Sequence, residues 1–91
     1  MRGELHNSDV ARLYKQIGAN VKRIRTEKKI SQLELSVEMG LKSVSLVSKA
    51  EIALENKHFN LEHLARIAYI FGVDIREFFN GVNPIKPTLQ T

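Results

Sequence analysis

Hydrophobic residues recur at the three- and four-residue spacing of α-helices along most of the chain, and no stretch of useful length alternates as a β-strand does. The longest stripe predicts a first helix over roughly residues 9–28. Its apolar positions are Val10, Leu13, Tyr14, Ile17, Val21 and Ile24. Gly18 lies inside this helix, where a glycine costs about 1 kcal/mol relative to alanine. The pattern therefore predicts an all-α fold that opens with a long helix.

The second helix is marked at both ends by residues that favour helix termini. Ser31 is a good N-cap, and Glu34 three residues later completes a capping box. Gly40 suits the left-handed backbone that ends many helices. We therefore expect helix 2 to cover about residues 32–39.

Three further helices are predicted in the same way. Helix 3 can begin with Ser43 as its cap, helix 4 begins at Asn60 and ends at Gly72, and helix 5 begins at Asp74 with Glu77 closing a capping box. The residues of helix 4 expected to point inward are Leu61, Leu64, Ala65, Ala68 and Phe71. Together the patterns predict one compact domain of five helices.

The chain has 91 residues, which suits a single domain. We divide it into an N-terminal extension over residues 1–8, a helical domain over 9–80 and a tail over 81–91 that holds both prolines. No apolar run approaches the roughly 20 residues of a membrane span, so no membrane partner is expected. The N-terminal MRGELHNSDV lacks the apolar core of a secretory signal. We therefore expect a cytoplasmic protein.

No motif indicates an enzyme, a cofactor or a metal. The chain has no cysteine, which excludes disulfides and thiolate ligands. His58 and His63 are too few for a metal site, which needs three or four convergent ligands. No serine, histidine and acid form a recognisable nucleophilic arrangement, and there is no glycine-rich phosphate loop.

The charge is mildly basic and unevenly distributed. The formal net charge is +4, and five cations crowd together: Lys22, Arg23, Arg25, Lys28 and Lys29. Such a cluster suits a polyanionic partner, although a run of charge is more often a solvated helix face.

Predicted helices 2 and 3 are joined by a short turn that contains a glycine, which is the plan of a helix-turn-helix. In the stretch SVSLVSKAE, the side chains of Ser45, Ser48 and Lys49 would face outward, while those of Val47 and Ala50 would face inward. A helix that is polar in front and apolar behind is suited to the major groove of DNA.

With these pieces in order, the chain resembles the lambda-repressor/Cro-type helix-turn-helix DNA-binding domains, also called the Xre family. The resemblance rests on IRTEKKISQLELSVEMG, SVSLVSKAE and NLEHLARIAYIFGVDIREFF, and it covers roughly residues 16–80. It implies a lambda-repressor-like fold and double-stranded DNA as the partner. It also implies a transcriptional regulator, most often a repressor, that acts as a homodimer on a two-fold symmetric operator.

The resemblance assigns two groups of residues to DNA. Those implied at base edges are Val44, Ser45 and Lys49. Those implied at the sugar-phosphate backbone are Gln32, Ser43, Ser48, Asn56, Lys57 and His58. Because a valine can pack only against a thymine methyl group or a sugar, part of the specificity would come from DNA shape.

The resemblance further implies that Arg25 and Glu51 form an internal ion pair between helices 1 and 3, and that Gln32 braces helix 3. The chain departs from the family pattern in two places. The turn GLKS is one residue longer than usual, and the loop over residues 51–60 is longer and lacks the usual glycine.

Two apolar surfaces are candidates for protein contact. Ile75 and Phe79 are candidates for the homodimer interface, although Phe79 could equally pack against helix 1. Leu33 and Val37 lie on the second face of helix 2, opposite its core face.

Several occupants could cover the Leu33/Val37 face: another subunit, a protein partner, or the chain ends with Leu5, Ile85 and Leu89. Two isolated surface apolar residues are as common an explanation. A protein partner would support the alternative function, an antitoxin-like or adaptor interaction module built on the same fold.

Overall fold

The computed structural model describes residues 7–82. Over this range the chain forms four α-helices: α1 (Asn7–Glu27), α2 (Gln32–Glu38), α3 (Ser45–Ala50) and α4 (Leu61–Phe71). Two 3-10 helices, Leu54–Asn56 and Ile75–Phe79, complete the described part, in which no β-strand occurs. The predicted all-α class is therefore confirmed.

Side chains from every α-helix and from the second 3-10 helix meet in one core. The long α1 packs against both α3 and the second 3-10 helix, and α4 packs against α2 and the same 3-10 helix. The core residues with no exposed surface are Val21, Leu35, Val47, Ala50, Ile67 and Phe78. Burying a large apolar side chain contributes roughly 1.5–3 kcal/mol, so this shared cluster is what holds such short helices together.

The predicted termini of α2 are present in full. Ser31 Oγ accepts the backbone N–H of Glu34 at 2.9 Å, and the Glu34 carboxylate accepts the N–H of Ser31 at 2.8 Å. The hydrogen bond from the Ser31 backbone is the largest cause of a lowered pKa at Glu34. Gly40 adopts the left-handed backbone with φ of +76°.

The cap of α3 differs from the prediction. Val44, not Ser43, is the N-cap, and it makes no side-chain cap hydrogen bond. Ser43 Oγ instead accepts the N–H of Ser45 at 3.3 Å. The reason is that Val44 already has right-handed backbone angles, so the extended residue that a serine cap needs does not directly precede the helix.

Helix α4 is capped by Asn60 and Gly72, the two residues predicted to bound it, but its inward face is shifted. Asn60 and His63 form a capping box in which the His63 ring accepts the Asn60 N–H at 3.0 Å. Leu61 is 65% exposed, and Ala65 is exposed as well. Ile67, which the prediction omitted, is buried. With Asn60 as the N-cap, Leu61 is the first residue of the helix and lies on its solvent side.

The predicted fifth α-helix is a 3-10 helix. Asp74 accepts the N–H of Arg76 at 2.8 Å through its side chain, while the N–H of Glu77 bonds the Asp74 carbonyl at 2.9 Å. That bond spans three residues rather than four, the pattern of a 3-10 helix. The segment is five residues long and still buries Phe78 completely.

Gly18 marks a close approach of α1 to the end of α3. A Cβ atom at this position would collide with the carbonyl oxygen of Ala50 and lie 2.8 Å from that of Glu51. The glycine is therefore required by packing, although it weakens the helix that contains it.

Within residues 7–82 no helix has both the length and the apolar character needed to cross a membrane. The first six residues, with Leu5, and residues 83–91, with Ile85 and Leu89, lie outside the described part of the chain.

Candidate nucleic-acid interface

A buried ion pair joins α1 to the end of α3. Arg25 Nε lies 2.7 Å from Glu51 Oε2, and a second guanidinium nitrogen of Arg25 lies 3.0 Å from Glu51 Oε1. A third nitrogen of Arg25 donates to the carbonyl of Ile30 at 2.8 Å. Both charged residues are buried. This is the pair that the resemblance implies, and its fork geometry fixes the two helices against each other.

Gln32 extends this network to α2. Its amide nitrogen donates to Glu51 Oε1 at 2.9 Å, so the first residue of α2 is tied to the residue that follows α3. The Gln32 side chain therefore makes the bracing contact implied for it. A glutamine amide carries two N–H donors, and Gln32 is only partly buried.

The residues assigned to base edges lie at the start and on the outer side of α3. Ser45, the first residue of α3, is exposed, and Val44 directly before it is partly buried. Ser48 Oγ donates to the carbonyl of Ser45 at 3.1 Å. The opposite side of α3 is apolar and buried through Val47 and Ala50. Helix α3 therefore exposes small polar groups on one side and buries apolar side chains on the other.

Lys49, the only charged residue of α3, is held by a residue that the sequence did not single out. Its ammonium nitrogen lies 2.8 Å from Glu55 Oε1. The hydrogen bond and the charge of Lys49 together hold the pKa of Glu55 below its usual value. This contact was missed because the two residues are six apart across a turn with left-handed backbone, which helical spacing does not describe.

The loop after α3 is unusual in its backbone. Ala53, Glu55 and Asn56 all have the left-handed conformation, with φ of 54°, 56° and 60°. Each such non-glycine residue costs roughly 1 kcal/mol or more. The glycine expected here by comparison with the family pattern is absent, and three residues with side chains take up the turn instead.

Two of the three loop residues assigned to the DNA backbone are held differently from the third. The His58 ring stacks on Tyr14 of α1, with ring centres 3.8 Å apart and planes 12° apart, and its Nδ1 lies 3.2 Å from the carbonyl of Asn56. Lys57 is exposed between them. Hence His58 and Asn56 have structural contacts within the chain, while Lys57 projects from the loop they fix.

The candidate protein-contact residues are exposed to different degrees. Leu33 and Val37 are 62% and 64% exposed, so no residue between 7 and 82 covers them. Phe79 is 37% exposed and Ile75 is partly buried. Phe78 is core and packs edge-on against Phe71.

Among residues 7–82, no group of three or more histidine, cysteine, aspartate or glutamate side chains is arranged to hold a metal ion. His63 serves as part of the α4 cap, where partial burial is the main cause of its lowered pKa.

A scan against models of protein families finds no match for the chain, and a search of curated proteins finds no significant match either.

Proposed function

We propose that the chain is a cytoplasmic helix-turn-helix protein of the lambda-repressor/Cro type that binds double-stranded DNA and regulates transcription as a repressor. One observation carries the proposal: the Gln32–Glu51–Arg25 network ties α2 and α1 to the end of α3, and α3 presents Ser45 outward. A helix that contacts base edges needs a fixed position, and in α3 both the buried face and the C-terminal end are held by the rest of the fold.

The dimensions and chemistry of α3 support this proposal. The helix has six residues, and its outer side carries Ser45, Ser48 and Lys49. Serine hydroxyls both donate and accept hydrogen bonds, and a lysine ammonium can reach the O6 and N7 acceptors of guanine. Val44 adds an apolar surface for a thymine methyl group.

Phosphate contacts would supply most of the affinity. Arg25 is buried in its ion pair, so it is not available to a phosphate. Exposed cations close in sequence to α3, Lys42 and Lys57, carry this role instead, with the Ser43 hydroxyl and the Gln32 side-chain amide as neutral donors. Binding that depends on such contacts weakens steeply as salt rises.

A homodimer is supported by apolar surface near the second 3-10 helix. Leu61 and Phe79, both exposed, line a recess of about 300 Å³ whose floor includes Leu13, Ile17 and Leu64. In a two-fold symmetric dimer the same patch on each protomer would cover the other. The two copies of α3, about one helical turn of DNA apart, would then contact a palindromic operator. The bound dimer would exclude polymerase from that site.

The proposal is tested by in vitro selection of bound sequences from random duplex DNA with the full chain. Enrichment of a palindromic consensus, bound less tightly as salt rises, is the expected result. No enrichment, with only weak and salt-sensitive binding, would refute operator recognition.

A second candidate function is an antitoxin-like or adaptor module that binds a protein. The exposed pair Leu33 and Val37, one helical turn apart on α2, favours it. A Leu33→Glu/Val37→Lys double variant tests whether this face is covered. Unchanged melting temperature and unchanged self-association would mean that neither the chain itself nor a second copy covers it.

A further inference from the structure

The strained loop after α3 is held from both sides. On one side Glu55 contacts Lys49, and on the other His58 stacks on Tyr14 and contacts the Asn56 carbonyl. Left-handed backbone at residues with side chains persists only where the surroundings hold it, and it clusters at functional positions. The conformation of this loop is therefore coupled to the position of the Lys49 side chain.

The contact between Lys49 and Glu55 resembles a contact between a lysine and a phosphate. A carboxylate oxygen lies 2.8 Å from the ammonium nitrogen, within charge-assisted hydrogen-bond distance. The hydrogen bond from Lys49 is the first cause of the lowered pKa of Glu55, which is the direction expected for a carboxylate that is ionised in this contact. In the free protein the Glu55 carboxylate is therefore paired with Lys49, the only cation of α3.

We propose that Glu55 competes with DNA for the ammonium of Lys49 and so limits the affinity of the chain for its operator, an inference that rests on the proposed function. A contact between Lys49 and a base edge needs the ammonium that lies 2.8 Å from the Glu55 carboxylate in the free protein. Binding that uses Lys49 therefore breaks this ion pair. On DNA of another sequence Lys49 can keep its contact with Glu55, so Glu55 weakens binding to such DNA no more than it weakens binding to the operator.

The test compares full-length wild type, Glu55→Gln, Lys49→Ala and the double variant on two duplexes: the sequence obtained by selection and a scrambled duplex of equal length. We expect Glu55→Gln to tighten binding to the selected duplex about three- to fivefold, the range allowed by one exposed ion pair, and binding to the scrambled duplex by the same factor or less. The gain should vanish when Lys49 is alanine. Glu62→Gln is the matched control, because it makes the same charge change at an exposed carboxylate paired with Arg66 on α4.

The outcomes distinguish a failure of the role of Glu55 from a failure of the proposed DNA-binding function. Tightening confined to the scrambled duplex, tightening that persists without Lys49, or no difference from Glu62→Gln would overturn the role of Glu55. Wild-type discrimination between the two duplexes would still leave the proposed function standing. A wild-type protein that binds neither duplex would overturn the proposed function and the role of Glu55 with it.

Discussion

Gln32 and Glu51 are joined by a 2.9 Å hydrogen bond that ties the first residue of α2 to the residue directly after α3. The same carboxylate accepts hydrogen bonds from two nitrogens of Arg25 on α1. One buried acid therefore sets the relative position of three helices, among them the helix proposed to read DNA.

Replacing Arg25 by methionine should lower the free energy of unfolding by about 3–5 kcal/mol, because it leaves the buried charge of Glu51 without its main partner. Urea denaturation measures the loss. Arg23→Met is the control, since Arg23 forms an exposed pair with Glu27 on the same helix and its loss should cost less than about 1 kcal/mol. Equal stability of the two variants would contradict a structural role for the buried pair.

Gly18→Ala should destabilise the fold although alanine is the better helix former. The helix alone would gain about 1 kcal/mol, but the added methyl group meets the backbone of α3, and such overpacking costs about 1–3 kcal/mol. Thermal and urea unfolding test the sign. Ala19→Gly, at the exposed neighbouring position, should cost only the helix propensity of about 1 kcal/mol. A rise in melting temperature for Gly18→Ala would show that α1 and α3 are not so closely packed.

Lys49→Ala should weaken binding to a selected duplex by about 1–3 kcal/mol and binding to random duplex by less, because a base contact carries sequence information. Lys57→Ala should instead weaken both to a similar extent and reduce the salt dependence by about one phosphate contact. Fluorescence anisotropy titrations at several salt concentrations measure both effects. Comparable losses on the two duplexes for Lys49→Ala would remove Lys49 from the base-facing group.

Phe79→Ser should lower the solution mass of the protein to that of a monomer, because Phe79 is the partly exposed aromatic of the proposed dimer surface. Sedimentation velocity and a circular dichroism spectrum check mass and fold together. Tyr69→Ser is the control, since Tyr69 is 89% exposed on α4 and should leave the mass unchanged. A Phe79→Ser variant that folds and keeps the wild-type mass would count against this interface.

The Asp74 carboxyl should titrate far below its usual range. The hydrogen bonds from the Arg76 side chain and backbone lower its pKa from 3.8 to about 2. Since the folded-state pKa is depressed, the stabilisation from Asp74 is present above about pH 3.8 and is lost as the pH falls toward 2. Carbon-13 NMR of the side-chain carboxyl measures the midpoint. Arg76→Gln removes the largest cause and should raise it, and a midpoint unchanged by that substitution would contradict the assignment.

Local signals in the sequence predicted the termini of α2 and α4, but not the N-cap of α3 or the capping box expected at Asp74. The capping box of Ser31 and Glu34 and the left-handed glycines at 40 and 72 depend only on residues within one turn, so the sequence contains all that determines them. The inward face of α4 was harder, because Leu61 is apolar but lies in the first turn on the solvent side. Only the packing of α4 against the rest of the core decides that.

In the candidate site, too, some contacts could be predicted from the sequence and others could not. The pairing of Arg25 with Glu51 followed from the resemblance, whereas the contact of Lys49 with Glu55 and the stacking of His58 on Tyr14 had no signal in the sequence. Both missed contacts depend on a loop with left-handed backbone at residues that rarely adopt it. The intrinsic backbone preferences of these residues disfavour the left-handed conformation, and tertiary contacts hold the loop in it.

We propose that α3 and its neighbours form the surface that binds duplex DNA. The most direct test is an NMR titration of the nitrogen-15-labelled protein with a selected duplex. We predict that the amide signals of Gln32, Ser45, Ser48, Lys49 and Lys57 move most, while those of the exposed α4 residues Ala65 and Tyr69 stay in place. Shifts centred on Leu33 and Val37 but absent from α3, or no shifts with any duplex, would contradict the claim.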